Sequence, residues 1–201
     1  RVGMDMHLPY ELEVRRHCPR ARIVYDRFHL MKLLNRALDD LRRRLQRTLP
    51  PEGRSYLKNK RYLLLKAKEN LTEKQQVRLD ELLAVNEPLN AAYILKEDFR
   101  TLFDEKDTRR ARKGIKDWKA RARQSELSEL LGFVKMLNRR RYGILNFFRQ
   151  RITNGLAEGL NNVVKTIKKV AYGFRDWQYF RLKILRNCGR LERRVSSTES
   201  P

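Results

Sequence analysis

Glu158 lies in the run Asn154-Gly155-Leu156-Ala157-Glu158-Gly159-Leu160-Asn161-Asn162, with Lys165 and Lys168 further along. At helical spacing Glu158, Asn161 or Asn162, Lys165 and Lys168 share one stripe. A carboxylate, an amide and ammonium groups so arranged can serve a divalent cation together with the phosphate it carries. Far upstream, Asp5 and Asp26 each close a short apolar stretch. Acids this far apart, once gathered by a fold, form an oxygen-rich site suited to Mg²⁺ or Mn²⁺. Each acid also has a plainer reading. Spacing alone favours a solvated helix face for Glu158, and an Asp at a strand end often caps the next helix. His29 follows Asp26 by one helical turn, so the two could hydrogen-bond and orient each other. A zinc site built on that pair would need two more ligands, and none is evident in the sequence.

The cations point to the partner. The sequence holds 47 Lys and Arg against 24 Asp and Glu, a formal charge of +23. Such a balance says little about fold but predicts attraction to polyanions, DNA first. Arg109, Arg110, Arg112, Lys113 and Lys116 open a basic segment that runs to Arg123, and Arg139, Arg140 and Arg141 form a second patch. Lys165, Lys168, Lys169 and Arg175 form a third. Phosphate neutralisation by these groups gives salt-sensitive, largely sequence-independent binding. A membrane surface is the lesser alternative, because no amphipathic anchor or long apolar run is present. The two cysteines, Cys18 and Cys188, have no neighbours at metal-binding spacing and read as buried free thiols in a reducing cytoplasm.

The elements that must position these groups fall into an ordered series. Val2 to Asp5 reads as the end of a strand, Pro9 starts a helix that stops before Pro19, and Ala21 to Tyr25 forms a second strand. Strand, helix, strand is the grammar of a parallel α/β sheet, and in such sheets functional groups gather at strand carboxyl ends. From Phe28 the pattern becomes helical, with Leu30, Leu34, Leu38, Leu41 and Leu45 on one face. Pro50-Pro51-Glu52-Gly53 ends that helix. Thr72 with Gln75 has the form of a capping box, and a helix from Glu87 carries Leu95, Phe99, Leu102 and Phe103. A basic helix spans Asp107 to Arg123, and Leu127 to Phe148 adds one or two more. A block this long is an inserted subdomain and not a loop. The expected division is a partial α/β core over 1–29, an all-helical insertion over 30–148, core helices carrying Glu158 over 149–195, and a disordered tail over 196–201.

Together these blocks resemble bacterial insertion-sequence transposases of the ISL3 group, within the DDE class that has a ribonuclease-H-like catalytic domain. The resemblance rests on Gly3-Met4-Asp5-Met6 with Tyr10, on Ala21-Arg22-Ile23-Val24-Tyr25-Asp26-Arg27-Phe28-His29, and on Asn154 to Asn162 with Lys165. Ala171-Tyr172-Gly173-Phe174-Arg175 and Phe180 continue it. It implies an α/β ribonuclease-H-like core, incomplete in these residues, with a large all-α insertion, and a chain predominantly helical overall. It implies further that Asp5 is the second catalytic acid and Glu158 the third, with the first upstream of Arg1. Asp26 also ends a strand and stays open as the second acid. Asp26 and His29 fit a signature of related transposases that follows the second acid. The implied chemistry is phosphodiester hydrolysis and strand transfer by two Mg²⁺ or Mn²⁺ ions on transposon ends and target DNA, in a bacterial cytoplasm at the nucleoid. The segment alone is then expected to be inactive. Two rival classes remain: a non-catalytic basic helical protein binding DNA or RNA, and an interaction module that self-associates through Leu95, Phe99, Leu102 and Phe103.

Overall fold

A computed structural model describes residues 1–151 and 155–188, with the backbone alone at 156–158. The chain divides into two compact units, Arg1–Thr153 and Asn154–Pro201. The expected tail over 196–201 lies outside the described residues.

The first unit opens with β1 (Val2–Met4), α1 (Leu8–His17) and β2 (Ile23–Tyr25). The strands pair in parallel, Val2 beside Ile23 and Met4 beside Tyr25, so α1 is the crossover that a parallel pair requires. Asp26 then accepts a hydrogen bond from the Phe28 amide at 2.9 Å and starts α2 (Arg27–Thr48). The plainer reading of Asp26 as a helix cap is therefore realised.

After α2 come α3 (Pro51–Lys58), α4 (Arg61–Leu65), a 3-10 turn at Lys68–Asn70, α5 (Glu73–Ala84) and α6 (Glu87–Leu102). The prolines that stop α2 also start α3, because a proline in the first turn gives up no intrahelical hydrogen bond. Both halves of the Thr72–Gln75 capping box form at the head of α5. Next are α7 (Thr108–Gln124), α8 (Ser128–Arg139) and α9 (Arg141–Gln150). The stretch from Leu127 to Phe148 thus breaks into two helices at Arg140.

Leu30, Leu34, Leu38 and Leu41 run down the buried face of α2. Phe99 packs against Trp118 and Phe133, and the Trp118 indole N–H donates to the Leu95 carbonyl at 2.7 Å, which leaves no unpaired polar atom on that ring. Leu95, Phe99 and Phe103 are buried here, so the face expected to meet a second subunit is the core of this one.

Helix α9 covers the outer edge of β2. Arg22 O accepts from Val2 N across the β1–β2 ladder, so Ile23 O points the other way. The buried Asn146 amide donates to that carbonyl at 2.9 Å. Gly143 permits the approach, since a Cβ there would stand 2.5 Å from the Tyr25 ring. The short sheet is therefore continuous with the helical block.

The second unit is a helical hairpin, α10 (Gly155–Val170) and α11 (Trp177–Cys188). Tyr172 and Gly173 both have positive φ and end α10, with Gly173 N bonding back to Lys168 O. Asp176 caps α11 through the Gln178 amide at 2.7 Å, and Phe174 stacks on Phe180. Among the described residues no helix is long and apolar enough to cross a membrane. Cys18 is exposed and not buried as expected, because it follows α1 at a turn.

An aspartate–histidine pair and a basic cleft

Asp5 follows the last residue of β1, and its Oδ1 lies 2.9 Å from Nε2 of His29 on the first turn of α2. Two stretches of sequence with separate signals thus meet at the carboxyl end of the sheet. The Asp5 side chain is partly exposed, the His29 ring less so, while Asp26 is buried. His29 Nδ1 is buried and has no hydrogen-bond partner among the described residues. His29 therefore turns one ring nitrogen to Asp5, whereas spacing suggests Asp26.

A buried cluster fixes this end of the sheet. The Tyr25 hydroxyl donates to Glu11 Oε2 at 2.8 Å and accepts from Arg140 Nη1 at 3.1 Å. Arg140 also forms an ion pair with Glu11, and Arg15 holds the other Glu11 oxygen at 2.8 Å. Burial pushes the Tyr25 phenol above its ordinary value, against the lowering effect of Arg15. Arg140, expected as a DNA contact, is an internal tie between the α8–α9 junction, α1 and β2. The pairing of Glu11 with Tyr25 escapes a reading of the sequence because it joins α1 to β2 across 14 residues, with no repeating pattern to mark it.

Glu158 lies on α10, but its side chain is outside the described residues, as is Asn154. Asn161, Asn162, Lys165, Lys168 and Lys169 are exposed on the same helix, or nearly so, and Arg175 is exposed beyond it. Among the described residues no three His, Cys, Asp or Glu side chains gather closely enough to hold a metal ion. Asp5 has the chemistry of one ligand for a hard cation: a part-exposed carboxylate, oriented by an imidazole, at a strand end.

The basic residues separate into groups. Arg112, Lys116 and Lys119 of α7 face Arg141 and Arg149 of α9 across a cleft of about 470 Å³. Ile115, Leu137 and Ile144 contribute apolar lining, and the half-exposed Tyr142 stands at the edge. No carboxylate lines the cleft among the described residues. Among them, too, Arg112, Lys116, Arg141 and Arg149 have no ion-pair partner, and Lys119 donates to neutral Asn138 at 3.0 Å. Burial first, then the charges of Arg123 and Arg141, hold the Lys119 ammonium below its ordinary value. Arg109, Arg110, Lys113 and Arg139 do not line the cleft. Arg149 carries a fainter signal in the sequence, its spacing of eight from Arg141, two turns along one helix face.

Residues 1–184 match the family described as transposase, of the DDE type and ISL3 group. The transposase for insertion sequence element IS1001 of Bordetella parapertussis is 38% identical over 188 residues, covering 91% of this chain and 46% of the relative. The transposase for insertion sequence element IS1557 of Mycobacterium tuberculosis is 28% identical, covering 82% of this chain and 42% of the relative. The chain thus spans less than half the length of the curated relatives it matches. No solved structure matches it.

Proposed function

Because the chain belongs to the ISL3 family of insertion-sequence transposases, we propose that it acts within a longer protein to cut and join DNA at insertion-sequence ends. On this reading β1, α1 and β2 belong to a ribonuclease-H-like core, the helices over 30–148 are its insertion, and residues 149–195 return to the core. Asp5 and Glu158 are two of its three metal-binding carboxylates. The parallel pair with a helical crossover supports the core assignment. Asp5 is preferred to Asp26 as the second acid, because Asp26 is buried and caps α2 whereas Asp5 is partly exposed.

The observation that carries the proposal is the 2.9 Å pairing of Asp5 with His29. The pairing favours one rotamer of the part-exposed carboxylate, in the manner of an outer partner that orients a metal ligand. The cluster of Glu11, Tyr25 and Arg140 fixes the strand end from which Asp26 and His29 project. Two Mg²⁺ or Mn²⁺ ions, when bound, would activate the attacking hydroxyl and stabilise the leaving oxygen at phosphorus. The lysines of α10 and the α7–α9 cations hold the DNA backbone by charge, without reading sequence.

Transposition by a full-length protein containing this segment tests the assignment. Asp5→Asn and Glu158→Gln abolish it at unchanged protein level, while Asp26→Ala, which removes the α2 cap, costs stability first and retains activity. Full activity of the Asp5 or Glu158 variant would leave a non-catalytic basic DNA-binding protein as the better reading. On this assignment two of three carboxylates fall within residues 1–201, so this chain alone is expected to neither nick nor join DNA. Mg²⁺-dependent nicking by the purified chain, lost in Glu158→Gln, would overturn that expectation.

A further inference from the structure

The α7–α9 cleft has features that backbone binding does not require. A surface that only tracks phosphates needs exposed cations along a ridge, and Arg109, Arg110 and Lys113 already provide them. The cleft instead sets five cations around an apolar floor of Ile115, Leu137 and Ile144. Its volume of about 470 Å³ falls in the range of roughly 300–1,000 Å³ that small ligands occupy. Cations without carboxylate partners, facing one another over apolar walls, repel. An anion between them removes that repulsion; at Lys119, where burial is the first cause of the lowered ammonium, the charge of Arg141 across the cleft adds to it. An anion that also offers a flat apolar face fits both halves of the lining.

We propose that this cleft binds a nucleotide, its phosphate held by the Arg112, Lys116, Lys119, Arg141 and Arg149 rim and its base against Tyr142 and the apolar floor. The inference rests on the DNA-acting reading above for one source of that nucleotide, an unpaired residue at the end of a DNA strand. A free nucleotide is the other source. A base within a duplex is excluded by its own pairing and stacking, so the cleft distinguishes unpaired from paired nucleotides.

The purified 201-residue chain suffices for the test. Its affinity is measured for a blunt duplex, for the same duplex with a short single-stranded overhang, and for free AMP, with inorganic phosphate as competitor. The overhang is expected to bind about tenfold more tightly than the blunt duplex, the value of one stacked base. Tyr142→Ala, at a half-exposed position that the core does not depend on, removes this preference and leaves blunt-duplex binding unchanged. Arg112→Gln, on the exposed side of α7, weakens the overhang more than the blunt duplex. AMP binding that depends on Tyr142, without any overhang preference, assigns the cleft to the free nucleotide. Equal affinity for both duplexes with no AMP binding overturns the proposal and leaves the DNA-acting reading intact. Inorganic phosphate that competes as well as AMP also overturns it, since the base then contributes nothing. Loss of salt-sensitive binding to both duplexes defeats the DNA-acting reading instead, and the AMP measurement still decides the cleft.

Discussion

Two faces of the first unit carry dense positive charge and use it in opposite ways. Between α2, α3, α4 and α6 the buried cations each have an acid or a carbonyl. Asp39 holds Arg42 at 2.8 Å, Arg43 at 3.0 Å and Arg61 at 3.3 Å, and both Asp39 and Arg42 are buried. Lys96, also buried, bonds to the carbonyls of Leu64 and Lys66 and pairs with Glu97 at 2.8 Å, while Glu97 also takes Arg100 at 2.9 Å. Across the α7–α9 cleft the cations face one another with no acid between them among the described residues. A paired buried cation belongs to folding, because removing its partner strands a charge away from water. An unpaired one at a cleft lowers stability slightly and is left available for a polyanion. The 47 Lys and Arg therefore overstate the cations open to a polyanion, whereas the net +23 already subtracts their acid partners.

The sharpest way to break this contrast is within the paired face. Asp39→Ala leaves Arg42 buried without its acid and is expected to cost about 3–5 kcal/mol of unfolding free energy in urea titrations. A loss below about 1 kcal/mol would mean that Arg42 reaches water and that the two faces differ little. DNA affinity of the folded fraction should not change.

The cleft should give the reverse result. Replacing Lys116 and Arg141 together with Gln should lower the slope of log affinity against log salt by about 2, roughly one for each phosphate no longer neutralised. Unfolding free energy should stay within about 0.5 kcal/mol, as for surface positions without partners. An unchanged slope would place the DNA surface elsewhere, on α10 first.

Acid separates the faces again. Burial alone would raise the Glu97 carboxyl, but hydrogen bonds and charge from Lys96 and Arg100 overcome it and hold the group below its ordinary value of 4.5. A depressed carboxyl contributes stability that is full above the unfolded value and is lost as pH falls through the lower folded value. Stability of the intact chain should therefore fall below about pH 4.5, and Glu97→Gln should flatten that fall. An equal slope in the variant would show that Glu97 does not sense the folded state. The smallest effect is expected at the half-exposed Arg44, which pairs with Glu129 at 2.8 Å. Arg44→Gln should cost less than about 1 kcal/mol, since solvent screens such a pair.

The sequence makes some of this legible and hides the rest for identifiable reasons. The α2 leucines, the Thr72–Gln75 box and the start of the basic helix at Asp107 are readable because each is a pattern within one turn or one face. The strand ends at Asp5 and Asp26 are readable because β-branched and apolar runs stop there. His29 stands out too, but spacing points only to Asp26, which is nearer in sequence, whereas the parallel register brings Asp5 to it. Arg140 sits in a run of three arginines, and nothing local marks it as the one turned inward to Glu11 and Tyr25. Leu95, Phe99 and Phe103 have the spacing of a docking face, and whether such a face is covered depends on what other helices bring to it.

By itself, then, the sequence determined the order of the elements, the acid and basic residue types on offer, and, through three ordered motifs, the transposase family. Those properties depend on near neighbours along the chain and on residue chemistry. Pairs within one helix, such as Asp39 with Arg42 and Arg43, lie at local spacing, but tertiary structure decided the rest, because partners such as Arg44 and Glu129 or Arg140 and Glu11 are far apart in sequence. It also decided that α7 and α9 would enclose a cleft, since no single helix face can show what lies opposite it.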